Sequence, residues 1–397
     1  MSTVTRRRFA LAVLGLLAAT AALLAVACGD DDTATATAAA RATSAAGSKA
    51  DAPRVIRIGV VQSLTGAAAV YGKTVVEGIE LAAKQLNAES AATGMQVELT
   101  VVDDESAATG AATAFEDLIH GDVDAIIGPT LSQAAPEAHR LAQEASIPVL
   151  GATTTAQGIT DVGDFVFRVA LPESVVVPAT LARVAKDTPL DGAVLVLDST
   201  DAFSRSSAAA MRSGLTAAGG SLLAEIDVAT ADIDEALGGL AAEQVEVFLV
   251  SPLVETSAPV VRAIRTAGFE QPIVGGNGFN TPDIAQLAGT AIEGAYVGAA
   301  WNPAVDTEAS RAFVQAFSEE YGRAPDLFAA QGYTSVYLAV DAARRASTGT
   351  PASLRDALAA TRGLDTPLGN LSISGRREAQ HASVTQQYRN GQLVVVP

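Results

Sequence analysis

From residue 55 onward the chain alternates short apolar runs with stretches of helical period, and it does so twice. Residues 55–61 form a near-continuous apolar run. A helical stretch follows at 72–88, with Val75, Ile79, Ala82 and Leu86 on one face and Glu80 four residues before Lys84. Runs at 97–102, 125–127 and 148–150 then alternate with helical patterns at 111–120 and 134–145. Continuous apolar strands separated by helices predict a parallel sheet covered on both faces. The series restarts with strand-like 165–168, helical 175–186 and apolar 193–197. It continues through strands at 221–228, 245–250 and 272–274, with helices at 207–218, 233–243 and 257–267 between them. After Tyr296 the period is mainly helical, at 308–321, 327–346 and 353–361. The last runs, at 371–374, 383–388 and 392–396, are strand-like, and Asn390-Gly391 signals a hairpin between the final two. The expected fold class is α/β, in two lobes of one architecture. The 397 residues are enough for that, since single cores seldom exceed about 250–300 residues.

The amino terminus sets an expected compartment. Arg6, Arg7 and Arg8 precede an uncharged stretch, 9–27, and then Cys28. A basic start, an apolar middle and a small-residue exit predict a secretory signal at 1–27. Thr5-Arg6-Arg7-Arg8-Phe9-Ala10 resembles a twin-arginine export motif. A general secretion signal and an uncleaved membrane helix are the alternatives for the same stretch. Cys28 is the only cysteine. With Ala25-Val26-Ala27 before it, the segment resembles a bacterial lipoprotein signal, with Cys28 as the acylated first residue of the mature chain. Residues 33–51 are almost all Ala, Thr and Ser, so a flexible tether is expected over 28–54.

Charge and motif content exclude several function classes. The formal charge of −18 argues against nucleic acid and anionic lipid headgroups as partners. His120, His139 and His381 are scattered, without metal-ligand spacing. Gly276-Asn277-Gly278 lacks the third glycine of a dinucleotide fingerprint, Asn280-Thr281 standing there instead. No nucleophile elbow, zinc-protease motif or phosphate loop occurs. No metal, cofactor or catalytic residue is therefore expected. Two blocks carry chemistry of another kind. One runs from Ala125 through Gly128 to Ser132, the other from Ile147 through Gly151 to Thr153, Thr154 and Thr155. Each is an apolar strand that opens into a hydroxyl-bearing loop. In an open α/β sheet, ligands bind beyond the carboxyl ends of strands. Hydroxyls and free N–H groups there suit a carboxylate. Ser132 has a second reading as the N-cap of its helix.

A series of segments resembles one family. Ile56-Arg57-Ile58-Gly59-Val60, Leu64-Thr65-Gly66, Tyr71-Gly72, Val102-Asp103-Asp104, Ile126-Ile127-Gly128 with Ser132, the 153–155 loop and Phe167-Arg168 are together similar to the type I periplasmic binding proteins. More narrowly they resemble the branched-chain amino acid receptors of ABC importers. The resemblance implies two Rossmann-like lobes joined by three crossovers, with a ligand cleft between them. It divides the chain into 55–170 plus 301–370 and 171–300 plus 371–397. It implies ligand contacts from Ser132, Thr153, Thr154 and Thr155, and from aromatic positions at Tyr71, Phe203 and Phe328. The family's acid for the ligand ammonium falls at Asn277, and a family tyrosine falls at Leu253. An Asn accepts a hydrogen bond but carries no charge. The counter-charge is then expected from Asp198, Asp201 or Glu255, or the ligand is an amide or a carboxylic acid. The implied role is an extracytoplasmic, lipid-anchored, monomeric receptor that captures a small molecule by lobe closure and delivers it to ABC permease subunits. The alternatives are a ligand-sensing receptor subunit and an exported α/β enzyme.

Overall fold

The computed structural model describes residues 53–397. The signal stretch, Cys28 and all of the tether before residue 53 lie outside the described residues. Among those described, the chain forms two large sheets and one small one. The first sheet holds β1 (Arg54–Gln62), β2 (Met95–Asp103), β3 (Ala125–Ile127), β4 (Val149–Gly151) and β5 (Val166–Arg168), in the order β2-β1-β3-β4-β5, all parallel. The inner strands β3 and β4 are buried at every residue. That burial explains why they read as unbroken apolar runs rather than alternating ones.

The second sheet repeats the plan with β6 (Asp191–Leu197), β7 (Ser221–Asp227), β8 (Val247–Val250), β9 (Ile273–Gly275) and β10 (Tyr296–Ala299). A small antiparallel sheet of β11 (Leu364–Thr366), β12 (Gly369–Ile373) and β13 (Ala379–Gln380) follows. The chain then returns to the second sheet as β14 (Val384–Arg389) and β15 (Gln392–Val395). The strand order there is β15-β14-β10-β9-β8-β6-β7. Both β14 and β15 run antiparallel to their neighbours. Asn390 and Gly391, at φ 53° and 72°, make the hairpin turn between them. The fold is thus α/β with two lobes, each built on a mainly parallel sheet.

Some expected elements differ in extent. The helix expected over 233–243 stops at Gly238, beside Gly239, and the helix expected from 207 begins at Ala202, where Asp201 caps it. β10, β11 and β13 are not expected from the sequence, since a glycine interrupts the first and the other two hold a single apolar residue each. β1 starts at Arg54, inside the range expected for the tether.

The lobes are joined where the chain leaves the first sheet after β5, returns after β10 and leaves again after β13. Arg168, at the end of β5, is 1% exposed and forms an ion pair with Glu378. Its N–H donates to the Arg377 carbonyl at 3.0 Å, so two of the connecting segments are bonded to each other. Burial lowers the Arg168 pKa, and Glu378 opposes that shift.

Candidate functional site

A narrow cavity of about 20 Å³ lies between the two large sheets. It is lined by Tyr71, Thr130, Leu131, Ser132, Thr153, Thr155, Phe203, Leu253, Asn277, Gly278 and Phe328. Nearly all of these follow the carboxyl end of a strand: β1, β3 and β4 on one side, β6, β8 and β9 on the other. In each sheet strand order reverses here, between β1 and β3 and between β6 and β8. Such switch points open a crevice, because successive connections depart to opposite faces.

The first wall is built by the hydroxyl loops. β3 ends at Gly128, whose φ is +141° and whose Cβ, were there one, would stand 2.1 Å from the Val61 carbonyl. Only glycine permits so close an approach to β1. Thr130 is then fixed by accepting from the Ser63 N–H (2.8 Å) and donating to Gln62 Oε1 (2.7 Å). Thr153 Oγ1 donates to the Thr130 carbonyl at 2.6 Å, joining the two loops. Ser132 Oγ accepts from the Ala156 N–H at 3.4 Å. Its hydroxyl proton therefore stays free. The helix cap reading of Ser132 fails, since the N-cap of the helix Ala135–Glu144 is Ala134 and no side chain caps it. Thr155 is 2% exposed, and its Oγ1 makes no close hydrogen bond, standing only near enough to the Glu173 carboxylate to help lower its pKa. A buried hydroxyl left unpaired costs about 1–3 kcal/mol. On a cavity wall, it marks a place for a ligand atom.

Thr154 stands apart from the other loop hydroxyls. It is fully buried and is not on the cavity wall. It turns back over Gly151, where an added Cβ would meet its Oγ1 at 2.4 Å.

The aromatic residues come from two helices that cross closely. A Cβ at Gly78, in the helix Ala69–Ala88, would stand 2.0 Å from the Ala329 carbonyl of the helix Leu327–Arg345. This crossing brings Tyr71 and Phe328 edge to face, with ring centroids 4.9 Å apart. The Tyr71 hydroxyl reaches across to the other lobe. It accepts from the Val254 N–H at 2.9 Å and donates to the Gly278 carbonyl at 3.1 Å. Burial raises its pKa. Phe203 enters from the first turn of the helix Ala202–Ala217 and is 4% exposed.

The second wall is completed by Leu253, Asn277 and Gly278. Asn277 Oδ1 accepts from Asn280 Nδ2 at 2.9 Å. One of the two lone pairs of the acceptor that the sequence led us to expect at this position is therefore engaged by Asn280. The acids considered as replacement charges are engaged elsewhere. Asp201 caps its helix by accepting from the Ser204 N–H, Asp198 accepts from Thr200, and neither they nor Glu255 lines the cavity.

Sequence reasoning missed Glu173, which sits in the first turn of the helix Glu173–Val184 and is 1% exposed. Its carboxylate accepts from Ser207 Oγ at 2.9 Å and from the Asn277 N–H at 3.2 Å. Burial pushes its pKa up to about 7, partly offset by these bonds. An acid at a helix start reads only as a favourable partner of the helix dipole. Its burial follows from the packing of three distant segments.

The periplasmic binding protein model matches residues 55–393. The chain belongs to that family. Among relatives of this binding protein is the Leu/Ile/Val-binding protein homolog 2 of Brucella abortus, 22% identical over 326 residues, covering 81% of this chain and 86% of the relative. Among solved structures is the branched-chain amino acid transporter substrate binding protein LivJ of Streptococcus pneumoniae, in complex with isoleucine. It is 25% identical with a TM-score of 0.78, over 86% of this chain and 99% of that one. A solute binding protein of an ABC transporter from R. palustris, in complex with benzoate, is 24% identical with a TM-score of 0.76, over 86% of this chain and 95% of that one.

Proposed function

We propose that this binding protein captures a small carboxylate solute between its lobes and hands it to the permease subunits of an ABC importer. The observation that carries this reading is the unpartnered Thr155 hydroxyl, buried on the wall of a cavity between two lobes. Ser132 and Thr155 receive the carboxylate beside Thr153, whose hydroxyl ties the two loops together, while Tyr71, Phe203 and Phe328 pack on its body. Thr154 acts behind them as a loop support. The lobe limits of the binding unit are 55–170 with 301–370 and 171–300 with 371–397. The mechanism is reversible capture by closure at the three crossovers, with no bond made or broken.

The same reading extends to the compartment. The chain works outside the cytoplasm, exported through the 1–27 signal by the twin-arginine or the general secretion route and anchored by acylated Cys28. The tether then lets the folded body reorient near the membrane. The relatives' bound isoleucine and benzoate both bear a carboxylate, and this supports an anionic group at the hydroxyl loops.

A thermal-shift panel of amino acids, amides and aliphatic and aromatic acids tests the binding role. Ligands that bind only the folded state raise its melting temperature. The expected result is a shift with a carboxylate-bearing compound that is lost in Ser132→Ala with Thr155→Ala. A panel in which no carboxylate shifts the protein refutes the reading. Labelled palmitate should enter the wild-type chain in cells, and not Cys28→Ala.

A further inference from the structure

We infer that the ligand is a carboxylic acid carrying a second oxygen acceptor and no ammonium, because Asn277 presents a fixed amide donor to a cavity that no charged side chain lines. This rests on the binding role proposed above and narrows its ligand class.

The direction of the Asn277 amide is set by a chain of amides anchored to backbone at both ends. At the far end Asn302 Oδ1 accepts from the Ala304 N–H at 2.8 Å, a group that can only donate. Asn302 Nδ2 must therefore be the end that donates to Gln386 Oε1 (2.6 Å) and to the Leu393 carbonyl (3.3 Å). Gln386 Nε2 then donates to Asn280 Oδ1 at 2.6 Å. At the near end Asn280 Nδ2 donates to the Gly298 carbonyl at 2.9 Å, a group that can only accept. The same nitrogen lies 2.9 Å from Asn277, so the Asn277 atom facing it is the oxygen. The two backbone anchors agree, and turning any one amide over would set oxygen against oxygen or N–H against N–H. Asn280, Asn302 and Gln386 are all at least 96% buried, so water does not relax the arrangement.

The end of Asn277 turned away from Asn280 is its Nδ2, which makes no hydrogen bond among the described residues, on a residue that lines the cavity. The opposite wall also offers donors: the Ser132 and Thr155 hydroxyls, and their backbone N–H groups, which are unpaired among the described residues. Hydroxyls accept as well as donate, so they do not choose between ligands. The choice falls to the Asn277 amide and to the absence of a carboxylate from the lining. The buried Glu173 does not line the cavity, and its carboxylate oxygens accept from the Ser207 hydroxyl and the Asn277 N–H. An ammonium brought here would trade water for a site without a counter-charge and against a fixed donor. A 2-oxo or 2-hydroxy acid, or an aromatic acid with a ring oxygen, satisfies both walls.

Calorimetry on the full mature chain tests this with matched triples that share one carbon skeleton. One is leucine, 4-methylpentanoate and 4-methyl-2-oxopentanoate. The other is phenylalanine, 3-phenylpropanoate and its 2-oxo acid. The expected order is oxo acid tightest, by roughly 10–100-fold over the plain acid, with the amino acid weakest. Asn277→Ala should abolish the advantage of the oxo acid over the plain acid. Asn277→Asp should reverse the order of oxo acid and amino acid, which loss of folding could not do, since that weakens every ligand alike. Wild-type protein that binds an amino acid as tightly as its oxo acid overturns the inference and leaves the receptor role standing. An order unchanged in the two variants also overturns it. Wild-type protein that binds none of the six compounds overturns the receptor role itself.

Discussion

The two walls of the cleft are made of similar polar side chains, yet they are assembled on different length scales. The hydroxyl wall comes from two loops, held by a bond spanning 24 residues from Ala156 to Ser132 and by one spanning 68 from Thr130 to Gln62. Each hydroxyl there sits just past a buried strand and is placed by that strand's end. The amide wall takes its orientation from the bond between Asn280 and Gln386, which spans 106 residues. A rotating hydroxyl suits several ligands, whereas an amide fixed at both ends of its chain of partners suits few. The first wall thus supplies grip on a carboxylate, and the second supplies discrimination.

The comparison breaks most completely where both walls share a support. Glu378→Ala leaves the Arg168 guanidinium buried without its partner, and stability should fall by about 3–5 kcal/mol. Denaturant unfolding measures this, and a loss below about 1 kcal/mol would show that the connecting segments do not depend on the pair.

Glu173 gives the next largest effect. Its folded pKa of about 7 lies above the ordinary 4.5. The folded state therefore holds the proton more tightly, and its contribution is complete below pH 4.5. It is lost as pH rises through about 7. Glu173→Gln keeps an acceptor for the Asn277 N–H and should remove up to roughly 3 kcal/mol of this pH dependence. Melting curves across that range check it, and an unchanged slope in the variant would assign the dependence to another group.

The hydroxyl wall is sharpened by Ser132→Ala and Thr155→Ala. Each should weaken binding of a carboxylate by about 1–3 kcal/mol, and by the same amount for plain and oxo acids. Unequal losses would mean that the two walls share the task of discrimination. The smallest expected effect belongs to Gln386→Leu, which strands Asn280 Oδ1 and leaves the Gly298 carbonyl as the sole anchor of the amide pair. Discrimination between an oxo acid and its amino acid should fall by about 1 kcal/mol while carboxylate binding persists. Equal loss for both ligands would make Gln386 a structural residue only.

The sequence shows the hydroxyl wall more clearly than the amide wall for the same reason. Ser132, Thr153 and Thr155 follow short buried strands, and an apolar run ending in glycine and hydroxyls is visible in any window that contains it. Thr154 looked identical in sequence to its neighbours, and only the turn back over Gly151 separates it from them. Asn277 was visible as a residue, but the end of its amide that meets the cavity depends on Gln386 and Asn302. Neither carries a local signal. The alternation of buried strands and helices made both lobes legible. The strands β10, β11 and β13 were not, because Gly298 interrupts the first and the other two carry one apolar residue each.

The Tyr71 hydroxyl spans the lobes without asking what lies between them. It gives its proton to one carbonyl and takes a proton from one N–H, so both of its bonds are spent on the opposite lobe. Whatever solute is held, these two bonds must part before it can leave. Tyr71 would therefore set a shared minimum residence time, on which the contacts of each solute are superimposed. A Phe at that position would shorten the stay of every solute by one factor, leaving their ranking untouched.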